Sequence, residues 1–307
     1  MWFCISISLA LLSLLPLVIA LPPATRRQSF PTLTESQIHA FKPYTLFASA
    51  AYCNPSVTRT WTCGLNCEAN PDFQPLASGG NGGLIQYWYV GYDPAQDAII
   101  VAHEGTNSGN LTADLTNVLV TMDPLDSTLF PDIPADVLVH TGYQLAHART
   151  APIILANVKM ALQQHPGRDV VITGHSLGAV LSLLDAVYLP MHLPDTVKIS
   201  TIGYGLPRLG NIAFAEYVDA HVNLTHITYQ RDPFPTLPFR FLGFQQPGNE
   251  VHIDQSDDWV QCPGQENGSA ECIDGAVEGA GGTLVDLVNV EDHEGPYDGV
   301  VMGLGEC

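Results

Sequence analysis

Basic residues are scarce in this chain: 11 Lys and Arg stand against 31 Asp and Glu, a formal net charge of −20 over 307 residues. Nucleic-acid phosphates call for clustered cations, so this scarcity argues against a nucleic-acid partner and disfavours anionic membranes and acidic substrates for the same reason. Internal repeats and low-complexity linkers are also lacking, which leaves no seam at which to divide the chain. Nor is there a paired Cys-x-x-Cys or Cys/His spacing of the kind that holds zinc. What is present is a globular composition, 46% hydrophobic and 14% charged, able at this length to bury a large core.

The first twenty residues, MWFCISISLALLSLLPLVIA, are an apolar run with a small-residue ending, and residues 1–20 read as a secretory signal peptide. An uncleaved anchor is the alternative, since the run is long and its start carries no Lys or Arg; Pro16 and the Val-Ile-Ala ending favour cleavage. Arg26 and Arg27 then close a short propeptide over 21–27, so the mature chain is expected to begin at Gln28, or at Leu21, and to form a single domain over 28–307. Cys4 leaves with the signal. Six cysteines remain, an even set suited to disulfides in an exported chain, and local spacing favours Cys63 with Cys67 and Cys262 with Cys272, leaving Cys53 for Cys307. Asn110, Asn223 and Asn267 stand in glycosylation sequons, whereas Asn54 is followed by Pro55. These features predict a secreted protein with no stable membrane insertion after signal cleavage.

Along the rest of the chain, ESQIHAFKPYTLFASAAYC has helical spacing, and GLIQYWYVGY and DAIIVAHEG read as strands joined at Asp93-Pro94. One long helix is expected over Tyr143–His165. After it come the strand DVVIT, the helix LGAVLSLLDAVYL, the strand VKISTIGYG, the helix NIAFAEYVDAHV and the strand THITYQ. Strands alternating with helices predict an α/β fold with a mainly parallel sheet covered on both faces. The last forty or so residues, Gly-rich and acidic, are expected to be mostly loop.

The stretch VVITGHSLGAVLSLL, Val170–Leu184, carries the chemistry. A strand that reverses into a helix within a few residues makes a strained turn, and Gly174 and Gly178 remove the side chains that would clash there. This is a G-x-S-x-G nucleophile elbow with Ser176 at its tip. The Leu177 N–H then faces the place where a tetrahedral oxyanion forms, at the favourable end of the helix dipole. A serine hydroxyl needs a base, and the base an orienting carboxylate, in the chain order Ser, Asp or Glu, His. Asp232 sits just past the strand THITYQ and before Pro233, where a side chain projects over the sheet edge. Of the two histidines after it, His252 lies in an expected short strand, EVHI, and His293, in the loop EDHEGPY, is the expected base. Gly105 and Thr106, after an earlier strand, are candidates for the second oxyanion donor.

GHSLG, together with YGLPRLGN from Tyr204 to Asn211, RDPFPTLP from Arg231 to Pro238, DHEGPY, and VHTGY before the long helix, resembles the fungal class 3 lipase family, with its filamentous-fungus triacylglycerol lipases and a feruloyl esterase branch. The resemblance spans roughly residues 45 to 307. It implies an α/β-hydrolase fold, a triad of Ser176, Asp232 and His293, an oxyanion hole from Thr106 and Leu177, and the three disulfides above. Where the family commonly has an aromatic-Arg-Gly-Ser/Thr run, this chain has His103, Glu104, Gly105 and Thr106, a carboxylate in place of a cation beside the hole.

In this family the segment after the oxyanion residue is a lid. Here Leu111, Leu115, Val118, Leu119 and Met122 fall on one helical face, which reads either as a lid that opens onto lipid or as a helix packed on the core. Phe239, Phe241, Leu242 and Phe244 suggest an acyl groove, with ordinary core as the alternative. The expected activity is that of a secreted serine ester hydrolase acting through an acyl-enzyme, a triacylglycerol lipase first and a feruloyl esterase second, with a noncatalytic lipid-binding protein as the reading from another class. The expected substrate is a lipid or other ester, with an oil–water interface as one place to meet it. No step calls for a metal or an organic cofactor, and DQSDDW, Asp254–Trp259, reads as a solvated acidic turn rather than a calcium loop.

Overall fold

The computed structural model describes residues 30–106, 121–282, 291–303 and 307. The proposed signal and propeptide, Asn110, and Leu111, Leu115, Val118 and Leu119 lie outside the described residues. The chain opens with four short helices, α1 (Glu35–His39), α2 (Lys42–Ala50), α3 (Pro55–Thr58) and α4 (Gly64–Glu68). The strands β1 (Gln74–Gly79), β2 (Trp88–Asp93), β3 (Ala98–His103), β4 (Met122–Pro124) and β5 (Leu138–His140) follow. Next come α5 (Thr141–Ala148), α6 (Ala151–Gln164), β6 (Asp169–His175), α7 (Leu177–Tyr188), β7 (Ile199–Tyr204), β8 (Gly210–Asn211), α8 (Ile212–His221) and β9 (Asn223–Tyr229). The described chain closes with β10 (Phe244–Gln245), β11 (Glu250–Ile253), β12 (Trp259–Cys262), α9 (Ile273–Gly279) and α10 (Glu291–Glu294).

Among the described residues the main sheet has eight strands in the order β1-β2-β3-β6-β7-β9-β11-β12. Its centre, β3 through β11, is parallel, and β1, β2 and β12 add antiparallel edges. Parallel centres need both faces covered, and the strand alternation supplies two cores. Ile99, Val101, Val170 and Ile172 face one side, where Ile154 and Val158 of α6 and Leu183 of α7 pack on them. Ile100, Ala102, Val171 and Ile202 face the other, against Phe47 and Ala50 of α2. This is the α/β-hydrolase architecture. Its register brings His103, Gly174 and Gly203 abreast, so the chain leaves β3, β6, β7 and β9 along one sheet edge.

Several expectations are corrected. The helix expected over 143–165 is two, because Pro152 has no N–H to give and so begins a new helix: Thr150 is its N-cap and Pro152 lies in its first turn. Pro43 divides the N-terminal helix in the same way at α2. Strand β2 starts only at Trp88, since the Asn81 side chain accepts from Gly83 and Ile85 N–H and turns the preceding backbone. The C-terminal segment is not all loop, because α9 and α10 form within it, and His293 sits in α10. A second, four-stranded sheet, β10-β8-β5-β4, was not foreseen.

Candidate active site

Ser176 follows β6 directly and has φ 56° and ψ −125°, a strained conformation for a residue with a Cβ. What makes the turn possible is the absence of neighbouring side chains: a Cβ on Gly174 would stand 2.4 Å from the Gly178 carbonyl oxygen, and one on Gly178 would stand 2.3 Å from that of His103. The Ser176 N–H is held by the Tyr204 carbonyl at 2.9 Å. Leu177 begins the 12-residue helix α7, so its N–H belongs to the first turn, whose donors have no acceptor within the helix. Thr106, half-buried, closes the loop after β3 that packs against this turn.

Asp232 lies just beyond β9, with Oδ1 accepting from Phe234 N–H at 2.9 Å and Oδ2 2.8 Å from His293 Nδ1. Both side chains are fully buried. Gly205, at φ +54°, floors the pair: a Cβ there would meet His293 Cε1 at 2.9 Å and Asp232 Oδ2 at 3.2 Å. Because a carboxylate accepts from Nδ1, the proton is on Nδ1 and Nε2 is left as the basic nitrogen. Nε2 has no hydrogen-bond partner among the described residues, so the Ser176–His293 bond is not closed in this structure. His252, the other histidine after Asp232, instead packs inside β11 with Nδ1 2.8 Å from Thr228 Oγ1, and burial pushes its pKa down to about 4.

Two supporting groups had no signal in the sequence, because their partners are remote along the chain. His175 Nδ1 is 2.6 Å from the Tyr52 hydroxyl and its Nε2 is 2.7 Å from the His293 carbonyl oxygen, which also accepts from Tyr297 at 3.2 Å. Asp185 of α7 is clasped between His103 Nε2 at 2.7 Å and His147 Nε2 at 2.8 Å, all three buried. Burial alone would raise the Asp185 carboxyl, but the two imidazoles hold it down to about 2. Glu104 turns toward the residue before β2, where Oε2 accepts from Tyr87 N–H at 2.7 Å, and burial pushes it up to about 7. The carboxylate beside the candidate oxyanion loop is therefore neutral over much of the acidic range.

The remaining candidates scatter. Cys53 is bonded to Cys307, Cys63 to Cys67 and Cys262 to Cys272. Asn223 is exposed at the start of β9 and Asn267 is half-buried. The aromatic run divides: Phe244 is buried in the small sheet, whereas Phe241, 81% exposed, stacks on Phe239 with Leu242 also exposed beside it. Asp254 Oδ1 accepts from the N–H groups of Ser256 and Asp258, which makes its loop a turn closed by its own carboxylate.

Residues 100–242 match the profile of the family described as Lipase (class 3). The chain is 36% identical over 216 residues to a secreted mono- and diacylglycerol lipase of Malassezia globosa, covering 68% of this chain and 67% of the relative. A second such lipase of that organism is 31% identical over 77% of this chain and 76% of its own length. Among solved structures, lipase II of Rhizopus niveus superposes with a TM-score of 0.75 at 25% identity, over 89% of this chain and 98% of that one. The triacylglycerol lipase described as having a serine protease triad as its catalytic centre gives 0.75 at 25%, over 90% and 99%.

Proposed function

The chain belongs to the class 3 lipase family, and from that premise we propose that it is a secreted serine carboxylic-ester hydrolase that cleaves acylglycerols. The observation that supports the reading is the buried Asp232–His293 pair, 2.8 Å long, with no partner on Nε2 among the described residues and its imidazole packed 4.5 Å from that of His175, the residue before the strained Ser176. In the proposed reaction His293 Nε2 takes the Ser176 proton as Oγ attacks the ester carbonyl. Asp232 holds the Nδ1–H tautomer and stabilises the imidazolium that forms. The N–H groups of Leu177 and Thr106 stabilise the oxyanion, His293 returns its proton to the departing alkoxide so that a neutral alcohol leaves, and water activated by His293 hydrolyses the acyl-enzyme.

Triacylglycerol is the substrate read first. Mono- and diacylglycerols are the second reading, favoured by the names of the Malassezia relatives. These comparisons support a lipase rather than the aromatic-ester branch. Export is supported by relatives named as secreted together with the apolar first twenty residues. The test is turnover of triolein emulsion, diolein, tributyrin and methyl ferulate by the purified mature protein, with Ser176→Ala as control. Hydrolysis of the glycerides that disappears in the control is expected. Preference for methyl ferulate, or turnover surviving in Ser176→Ala, overturns the reading.

A further inference from the structure

Tyr52 and His175 stand outside the proposed triad, yet together they touch two of its supports. The His293 carbonyl can only accept, so the His175 proton is on Nε2, Nδ1 is bare, and the Tyr52 hydroxyl donates to it across 2.6 Å. Two fixed partners thereby set one tautomer. Burial first, and then the neighbouring His293, keep this imidazole neutral by pushing its pKa well below the ordinary value. On its other side the Tyr52 oxygen lies against the Gly105 backbone, and a Cβ on Gly105 would stand 2.2 Å from it. Contacts therefore run from the loop just before Thr106, through Tyr52 and His175, to the main chain of His293. His175 is also the residue before Ser176, so the elbow belongs to the same chain of contacts.

We propose that Tyr52 and His175 form a positioning strut that fixes the main chain of His293 relative to the oxyanion loop at Gly105–Thr106. The sheet alone leaves those two loops independent, since one follows β3 and the other arrives from the C-terminal segment beyond β12. A strut between them sets the gap in which the acyl carbon must sit, where small displacements cost large factors in rate. Neither residue touches the reacting atoms, and the inference rests on the ester-hydrolase reading.

The test compares kcat and KM on p-nitrophenyl butyrate for the wild type, Ser176→Ala, Tyr52→Phe, His175→Gln and the Tyr52→Phe/His175→Gln double variant, with melting temperatures alongside. Tyr52→Phe removes a single oxygen and keeps the ring. It is expected to lower kcat about tenfold or more while KM stays within about twofold. The double variant is expected to be no slower than the slower single one, because one broken link already parts the strut. A Tyr52→Phe enzyme within about twofold of wild-type kcat, or single losses that multiply in the double variant, overturns the strut. Should the wild type show no turnover that depends on Ser176, the hydrolase reading fails instead, and the two failures are told apart by the first two proteins in the series.

Discussion

Ser176 holds its backbone at φ 56°, where a residue with a Cβ pays about 1–3 kcal/mol of strain. Glycine adopts that conformation freely, so Ser176→Gly is expected to abolish ester hydrolysis while stabilising the fold by about 1 kcal/mol, after allowing for the greater freedom of glycine in the unfolded chain. Urea unfolding of the two proteins decides it, and a destabilised glycine variant would mean that the turn is not strained. Asp232 offers a second check at this scale. Asp232→Asn leaves the shape of the pair but presents an amide that favours the wrong imidazole tautomer, and kcat is expected to fall about 10³–10⁴-fold, as for the buried aspartate of serine proteases. Steady-state kinetics on a soluble ester measure it, and a loss under about tenfold would remove Asp232 as the group that orients His293.

At the scale of elements, what the sequence made legible was local. The β6 strand, the elbow and α7 are specified within Val170–Tyr188 by β-branched residues, two glycines and a helix-forming run, and they fold as read. The split of α5 from α6 was readable from Pro152 in principle, but the apolar spacing on either side masked it. The small sheet was not legible, because strands of two or three residues carry no periodicity. Nor were Tyr52, His103, Asp185 or His147, whose partners lie 38 to 123 positions away. The disulfides carry a prediction here. Cys53–Cys307 spans 254 positions, Cys262–Cys272 spans 10 and Cys63–Cys67 spans 4. Chain entropy grows with the loop closed, so replacing each pair by serine is expected to cost most for Cys53–Cys307, about 3–5 kcal/mol, and least for Cys63–Cys67, about 2 kcal/mol. Melting temperatures of the three paired variants test the order, and a reversed order would assign their effect to local packing instead.

Across the whole molecule, opposing titrations set where the fold is most stable. Burial raises Glu104, Glu250 and Asp274 to about 7, the last helped by its neighbour Glu266. A carboxyl whose folded pKa is raised binds its proton more tightly when folded. Its stabilising effect is complete below the ordinary carboxylate range and is lost as pH climbs from about 4.5 to about 7. Burial lowers His140, His226 and His252 to about 4, so the unfolded chain protonates first. Their effect is complete above about pH 6.5 and is lost as pH falls toward 4. Between about pH 4.5 and 6.5 the two slopes oppose each other, which predicts a broad stability maximum there and a decline on the alkaline side. The excess of 31 acidic over 11 basic residues adds self-repulsion in the same alkaline direction. Melting temperatures from pH 4 to 9 are expected to peak in the mildly acidic range. Glu104→Gln, which mimics the protonated carboxyl and retains an acceptor for Tyr87 N–H, is expected to raise the melting temperature at pH 8 more than at pH 5. A wild-type maximum at or above pH 8 would overturn the balance of titrations, and an equal shift at both pH values would place Glu104 in its ordinary ionised state and leave the candidate oxyanion loop carrying a full negative charge.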